Sequence, residues 1–146
     1  MNGQIHCAGA LFYTLETNRM LFLYRSKSKR RNVWSIPGGK LNDGEMPWSG
    51  ACREISEEIG SIPTILQTLS LETFKSVDGH FMFHTFLCII RSEFIPILND
   101  EHSGYAWSEY DQWPSPLHHG LRSTLTKRIN RAKIDTLISI SNIVKS

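Results

Sequence analysis

The stretch from Gly39 to Gly60 reads GKLNDGEMPWSGACREISEEIG and carries most of the information in this chain. Gly44 suits a turn, Pro47 suits the first position of a helix, and Gly60 suits a left-handed cap at its end. The stretch therefore predicts a helix over Met46 to Ile59. Apolar residues at three-and-four spacing form the predicted buried stripe of this helix: Trp48, Ala51, Cys52, Ile55 and Ile59.

The opposite face of the predicted helix carries Arg53, Glu54, Glu57 and Glu58. Glu54 lies one turn from both other glutamates, so the three carboxylates repel one another unless a cation neutralises them. Magnesium prefers oxygen ligands and binds through a few carboxylates together with substrate phosphates. The alternative is a solvated acidic helix face, which is the usual meaning of an isolated charge run.

A glycine-containing loop precedes the acidic helix, and its sequence is WSIPGGK from Trp34 to Lys40. Gly38 and Gly39 allow the backbone to approach a ligand closely, and a carbonyl there can join a metal shell. The whole segment resembles the box that defines the Nudix hydrolases, the MutT-like pyrophosphohydrolases. The one departure from that pattern is Ser61, where the family has an aliphatic residue. All fixed identities of the pattern are present: Gly39, Glu45, Arg53, Glu54, Glu57, Glu58 and Gly60.

The resemblance implies a set of roles for these residues. It places metal ions on the Gly38 carbonyl and on the three helix glutamates, Glu54, Glu57 and Glu58. It implies that Arg53 orients the catalytic carboxylates, while Glu45 and Gly60 support the box. The general base is Glu54 or Glu57 in some members and a glutamate of a later loop in others, for which Glu101 is the candidate. The candidates for substrate binding are Arg25, Gly39 and Lys40.

The reaction implied by the resemblance is attack of water on a phosphorus of a substrate that contains a nucleoside diphosphate. Mg²⁺, or Mn²⁺ as a substitute, would bridge the phosphates and lower the pKa of the attacking water. A carboxylate would accept the proton. Positioning and charge neutralisation dominate such a reaction, so no nucleophilic serine or cysteine is required.

The wider sequence predicts an α/β fold. Alternating and apolar runs predict five strands, and a second helix is predicted from Leu117 to about Ala132. The resemblance implies the Nudix α/β/α sandwich, with a mixed β-sheet between helices, formed by one domain over residues 1–146 with a helical tail from about 132 to 146. The predicted strands are Ile5 to Tyr13, Arg19 to Arg25, Ile65 to Lys75, Phe81 to Ile90 and a short one around Tyr105 to Trp107.

Composition limits the partners that we expect. The chain has 146 residues and a net charge of +2, which does not suggest a bulk nucleic-acid binder, although a basic run extends from Arg25 to Arg31. Its three cysteines lack zinc spacing and predict a reduced protein of the cytoplasm. The longest apolar run, Phe86 to Ile90, is too short to cross a membrane. A homodimer is expected by analogy with the family alone.

The substrate is the least determined property. Residues 76–79, Ser-Val-Asp-Gly, show neither the proline signature nor the tyrosine signature that Nudix hydrolases of ADP-ribose or of dinucleoside polyphosphates carry downstream of the box. The remaining candidates are a nucleoside triphosphate or a nucleotide sugar. Two alternatives stay open. One is hydrolysis of RNA 5′ ends guided by the basic run, and the other is a catalytically silent nucleotide sensor.

Overall fold

The computed structural model describes residues 3–26 and 32–145, so most of the basic run, residues 27–31, lies outside the described residues. Seven strands and three helices are found in the described part. The strands are β1 (Ile5–Thr14), β2 (Arg19–Arg25), β3 (Val33–Ser35), β4 (Gly38–Lys40), β5 (Gln67–Lys75), β6 (Phe81–Ile90) and β7 (His102–Glu109). The helices are α1 (Pro47–Ile59), α2 (His119–Thr126) and α3 (Arg128–Lys145).

The strands form one mixed sheet with the order β3-β2-β1-β6-β5, while β4 pairs with β1 and β7 pairs with β2. The pair β1 and β6 is parallel along its whole length, from Ile5 beside Phe81 to Thr14 beside Ile90, and the other pairs are antiparallel. β1 pairs with β4 through its first half and meets β2 near its end. The same edge of β1 is therefore paired with β4 in its first half and with β2 near its end, and β4 lies next to α1.

Alternation along β1 sends side chains to two separate cores. Leu11 and Tyr13 belong to a core that also contains residues of α2 and α3, whereas Ala10 and Phe12 belong to a core with α1. Helices therefore cover both faces of the mixed sheet. This is the α/β/α sandwich expected from the sequence.

The sequence identified most of the strands. β2 and β6 have the predicted bounds, β1 is one residue longer, β5 begins at Gln67, and β7 extends the predicted short strand to His102–Glu109. Strands β3 and β4 were not predicted from the sequence. Each has three residues, which is too short to show an alternating pattern.

The single helix predicted from Leu117 to Ala132 is wrong, because the structure has two helices separated at Lys127. Its ψ of 131° is extended and ends α2, and α3 then continues through the region predicted as a separate tail. The chain turns where Lys127 Nζ donates to Glu72 Oε2 of β5 over 2.6 Å. Among residues 3–26 and 32–145, no helix is long and apolar enough to cross a membrane.

Candidate active site

Helix α1 begins and ends as its sequence predicts. Pro47 is its first residue, and Gly60 follows it with a φ of 95° and donates its N–H to the Ser56 carbonyl over 3.0 Å. A Cβ on Gly60 would also lie 3.0 Å from the Cβ of Ile97. Gly60 therefore has two structural reasons to be glycine, and it fixes the end of the helix that carries the glutamates.

Strand β4 lies directly against the acidic face of α1. A Cβ on Gly39 would be 2.5 Å from the carboxyl carbon of Glu54, so any side chain there would displace this carboxylate. The Gly38 N–H donates to Glu58 Oε1 over 2.7 Å, and its φ of 155° lies in a region that favours glycine. The two glycines therefore allow the backbone to contact two of the proposed metal-binding carboxylates.

Arg53 connects the helix to the loop before it. Its Nε and Nη2 donate to the two carboxylate oxygens of Glu45, each over 2.9 Å, and Nη2 also donates to the Lys40 carbonyl over 3.0 Å. Its Nη1 lies 3.3 Å from one carboxylate oxygen of Glu54 and 3.3 Å from one of Glu57. One guanidinium therefore fixes the loop and orients two carboxylates of the cluster.

These contacts separate the pKa values of the acidic groups. The hydrogen bonds from Arg53, helped by the backbone N–H of Asn42, lower the pKa of Glu45 to about 2, and the Arg53 pKa is raised chiefly by hydrogen bonding to Glu45. Burial and then the charge of Glu57 raise the pKa of Glu54, although Arg53 opposes both effects. Glu45 is therefore a fixed anion, whereas Glu54 lies in a site that favours a neutralising cation.

Glu58 differs from the sequence prediction, which placed it on the open face of the helix. Only 3% of it is exposed, because β4 covers the last turn of α1. Burial raises its pKa to about 8, the charges of Glu54 and Glu101 raise it further, and the Gly38 N–H and Arg25 act in the opposite direction. A buried carboxylate with such a pKa near other carboxylates is a strong candidate for a metal ligand.

Arg25 and Glu101 reach the same site from the neighbouring strands. Arg25 ends β2, and Glu101 immediately precedes β7, with the Glu101 carbonyl accepting from the Ser26 N–H over 3.1 Å. Glu101 raises the pKa of both Glu54 and Glu58, and Arg25 lowers that of Glu58, so both side chains lie within electrostatic range of the cluster. Both residues were predicted from the sequence.

Lys40 and Gly39 complete the set of predicted residues. The Lys40 side chain is exposed, while its carbonyl belongs to the Arg53 network. Gly39 contributes the space that the Glu54 carboxylate occupies. The fold therefore places all of the predicted residues at or around one site: Arg25, Gly38, Gly39, Lys40, Glu45, Arg53, Glu54, Glu57, Glu58, Gly60 and Glu101.

Asn99 and His102, which belong to the same turn as Glu101, were not predicted from the sequence. His102 is 5% exposed, and burial followed by the charge of Arg25 lowers its pKa to about 4. Its Nδ1 lies 3.2 Å from Asn99 Oδ1, which also accepts the Glu101 N–H over 3.3 Å. The sequence Asn99-Asp-Glu-His102 gave only a turn signal, and its relation to α1 depends on tertiary structure.

The donor set suits a hard divalent cation. Glu54, Glu57, Glu58 and the β4 backbone all offer oxygen atoms, which magnesium prefers. In the described part of the chain, no three acidic, histidine or cysteine side chains are already arranged as a ligand set. Glu54 and Glu57 are turned toward Arg53, and Glu58 toward the Gly38 N–H. Binding would therefore require these carboxylates to rotate.

Comparison with known proteins gives the family of this chain. The family model described as the NUDIX domain matches residues 6–128. The chain belongs to the Nudix hydrolase family. The match runs from the second residue of β1 to the first residue of α3 and therefore spans every residue of the site described above.

This Nudix chain is similar to part of two curated relatives. It is 33% identical over 86 residues to Nudix hydrolase 7 of Arabidopsis thaliana, covering 57% of this chain and 30% of that protein. It is 30% identical over 112 residues to a dihydroneopterin triphosphate diphosphatase of Haemophilus influenzae, covering 66% of this chain and 69% of that protein. The chain thus spans under a third of the first relative.

A solved structure confirms the Nudix fold. The MutT NUDIX hydrolase of Burkholderia pseudomallei superposes with a TM-score of 0.70 at 26% identity, covering 86% of this chain and 98% of that one. A Caenorhabditis elegans Ap4A hydrolase superposes with a TM-score of 0.67 at 22% identity, covering 91% and 98%. The second likeness is evidence for the fold alone.

Proposed function

We propose that this Nudix chain is a magnesium-dependent pyrophosphohydrolase that cleaves a nucleoside triphosphate or a nucleotide sugar by attack of water on phosphorus. The proposal rests on one observation: the glutamates of α1 lie together against the two glycines of β4 and the Arg53 side chain. These glutamates are Glu54, Glu57 and Glu58. This arrangement matches what phosphoryl transfer requires, since charge neutralisation and positioning supply most of the catalysis.

The proposed metal ligands are the three helix glutamates and the Gly38 carbonyl. Magnesium held there would neutralise phosphate charge and lower the pKa of a bound water. The raised pKa values of Glu54 and Glu58 support this assignment, because clustered buried carboxylates become favourable as anions only when a cation compensates them. Mn²⁺ has similar ligand preferences and is the expected substitute.

The other residues of the site position the substrate and move the proton. Glu101 is our choice for the general base, because it lies close enough to perturb Glu54 and Glu58 yet comes from a different element. Arg25 ends β2 beside the cluster, and the exposed Lys40 follows the glycines. We propose that Arg25 and Lys40 bind phosphate oxygens of the substrate near the acidic helix.

An aromatic surface on β5 and β6, which β1 separates from β4, supports a substrate that contains a planar base. Phe83 pairs with Cys7 across the parallel strands and with Phe74 on the other side, while the Phe81 ring lies 6.4 Å from that of Phe83. Phe74 is 43% exposed, and Phe81 and Phe83 are partly exposed. We propose that the heterocycle of the substrate stacks on this surface.

The named relatives also favour a triphosphate substrate. One is named a dihydroneopterin triphosphate diphosphatase, and a Proteus vulgaris protein, 31% identical over 84 residues, is named an 8-oxo-dGTP diphosphatase. Each name joins a planar bicyclic ring to a triphosphate. We therefore rank nucleoside triphosphates and related heterocyclic triphosphates above nucleotide sugars.

The proposed setting of the reaction is the reducing cytoplasm. All three cysteines, Cys7, Cys52 and Cys88, are free thiols, and Cys88 is buried. Free buried thiols are typical of proteins that work in a reducing compartment. The homodimer and the single domain over residues 1–146 likewise remain proposals.

The experiment that tests the function is a hydrolysis assay of the wild type and Glu57→Gln with Mg²⁺. The panel contains canonical and oxidised nucleoside triphosphates, dihydroneopterin triphosphate, ADP-ribose, nucleotide sugars, dinucleoside polyphosphates and capped RNA. Glu57 suits the test because 57% of its side chain is exposed, so its substitution should remove a proposed ligand without disturbing the core. Glu109→Gln, which changes another exposed glutamate, is the matched control.

We expect hydrolysis of triphosphates with release of pyrophosphate, a loss of about a hundredfold or more in Glu57→Gln, and no loss in Glu109→Gln. Preferential hydrolysis of capped RNA would replace the proposal with the RNA-end reaction. Nucleotide binding without turnover of any substrate would indicate a sensor instead. Equal activity of Glu57→Gln and the wild type would contradict the metal site.

A further inference from the structure

The turn from Asn99 to His102 joins three parts of the candidate site. At one end, the Asn99 N–H donates to the Glu58 carbonyl in the last turn of α1 over 3.3 Å. At the other end, the Glu101 carbonyl accepts from the Ser26 N–H over 3.1 Å, just after β2. The turn therefore bridges the metal-binding helix and the strand that carries Arg25.

The Asn99 side chain holds the inside of this turn. Its Oδ1 accepts the Glu101 N–H over 3.3 Å and lies 3.2 Å from His102 Nδ1, while the His102 N–H donates to the Asn99 carbonyl over 3.4 Å. An asparagine oxygen that accepts from the chain two residues later replaces a backbone turn bond. The N–H of Glu101 is therefore held by the Asn99 side chain, while the Glu101 carbonyl is held by the Ser26 N–H.

His102 contributes a donor to the same oxygen. Its ring is 5% exposed, and its pKa of about 4 makes it neutral at ordinary pH. Since Asn99 Oδ1 is an acceptor only, the neutral ring must carry its proton on Nδ1 to bond with it. β7 also has a bulge here: Arg25 pairs with His102 and Tyr24 with Gly104, so Ser103 is left unpaired.

We propose that Asn99 and His102 are positioning residues that set the place of the Glu101 carboxylate relative to the metal-binding glutamates. This inference rests on the proposed function, because it assigns Glu101 the role of general base. Asn99 needs its acceptor oxygen, and His102 needs its Nδ1–H donor. Neither side chain touches the substrate in this scheme.

The test compares kcat, KM and pH–rate profiles for Asn99→Ala, Asn99→Asp and Asn130→Ala. Asn99→Ala removes the acceptor, whereas Asn99→Asp keeps an acceptor oxygen at the same place. Asn130→Ala is the matched control, because Asn130 is a buried asparagine with two side-chain hydrogen bonds at the junction of α2 and α3. A variant that acts through stability alone should behave like this control.

We expect Asn99→Ala to lower kcat by about ten- to a hundredfold with little change in KM, since a displaced catalytic group reduces rate more than binding. Asn99→Asp should recover most of the rate, and Asn130→Ala should lower the melting temperature without changing kcat. In a Glu101→Gln background, Asn99→Ala should have no further effect on kcat. Full additivity of the two substitutions, or a kcat loss in Asn130→Ala equal to that in Asn99→Ala, would overturn the proposal.

A second measurement needs no turnover and separates this inference from the proposed function. Amide hydrogen exchange should be slow at Glu101 in the wild type, faster in Asn99→Ala and again slow in Asn99→Asp. His102→Asn, which keeps a side-chain N–H donor, should retain slow exchange, and His102→Phe should lose it. Unchanged exchange in Asn99→Ala would contradict the inference even for an inactive protein, and failure of the hydrolysis panel alone would contradict the function only.

Discussion

At the scale of single residues, the bidentate contact between Arg53 and Glu45 makes the clearest prediction. Arg53→Lys keeps the positive charge but loses the planar pair of donors, so one ammonium cannot hold Glu45 and orient Glu54 and Glu57 together. We expect kcat to fall by about ten- to a hundredfold, since one or two charge-assisted hydrogen bonds are lost. Steady-state kinetics measure the fall in kcat, and a melting curve measures any loss of stability separately.

The matched control is Arg19→Lys. Arg19 makes an equally bidentate pair with Glu93, through Nε at 2.6 Å and Nη2 at 2.9 Å, and this pair lies outside the candidate site. Its side chain is 42% exposed, so the substitution should cost little stability and no activity. Equal losses of kcat in the two variants would show that Arg53 has no special role.

The site residues could be proposed from the sequence because the spacing of the box brings residues of suitable chemistry onto one helix and the loop before it. The burial of these residues could not be predicted in the same way. Glu58 was assigned to an open helix face from helical periodicity, but its exposure is set by β4, a strand too short to be predicted. Asn99 and His102 were not predicted because the position of their turn depends on tertiary contacts: the Asn99 N–H donates to the Glu58 carbonyl of α1, and the Glu101 carbonyl accepts from the Ser26 N–H after β2.

At the scale of elements, Glu72 of β5 contacts both sides of the junction between α2 and α3. Its carboxylate accepts from Thr124 Oγ1 at 2.7 Å, Lys127 Nζ at 2.6 Å and Asn130 Nδ2 at 3.1 Å. We expect Glu72→Gln to lower the free energy of unfolding by about 1 to 2 kcal/mol, since Lys127 is partly exposed. Urea unfolding of Glu72→Gln, with Glu16→Gln as an exposed control, measures this loss, and kcat should not change.

The hydrogen bonds of Glu72 also predict how the stability of the fold depends on pH. Burial acts to raise the pKa of Glu72, but the hydrogen bonds from Lys127, Thr124 and Asn130 outweigh burial and lower it. A carboxyl whose pKa is lower in the folded state stabilises the fold above its ordinary pKa and loses that contribution as the pH falls below it. The stability difference between wild type and Glu72→Gln should therefore shrink on acidification below about pH 4.5. A stability difference that does not change with pH would contradict the stabilising role of the ionised Glu72 carboxylate.

Helix and strand patterns predicted the elements whose signal is local. Helix α1 has Pro47 at its start and Gly60 after its end, and β6 is a long apolar run, so the bounds of both could be predicted. The break at Lys127 has neither glycine nor proline beside it. Lys127 instead donates to Glu72, which is 55 residues away in sequence, and no window on the helix itself contains that contact.

At the scale of the whole molecule, we predict that α3 is part of the same cooperative unit as the Nudix site, although the family match ends at residue 128. Ile134 is fully buried in the core beneath α2, Asn130 and Ser141 are almost fully buried, and Lys133 Nζ donates to the Leu71 carbonyl over 2.9 Å. Removing α3 would expose this core.

A chain that stops after Lys127 should therefore fail to fold cooperatively, because burial of one large aliphatic side chain contributes about 1.5 to 3 kcal/mol and α3 covers several, against a total stability of about 5 to 15 kcal/mol. A chain that stops after Ser141 is the control, since residues 142–144 are exposed. Calorimetry should show one transition for the control and none for the shorter chain. A sharp transition and full hydrolase activity in the shorter chain would instead make α3 a separate appendage to the domain.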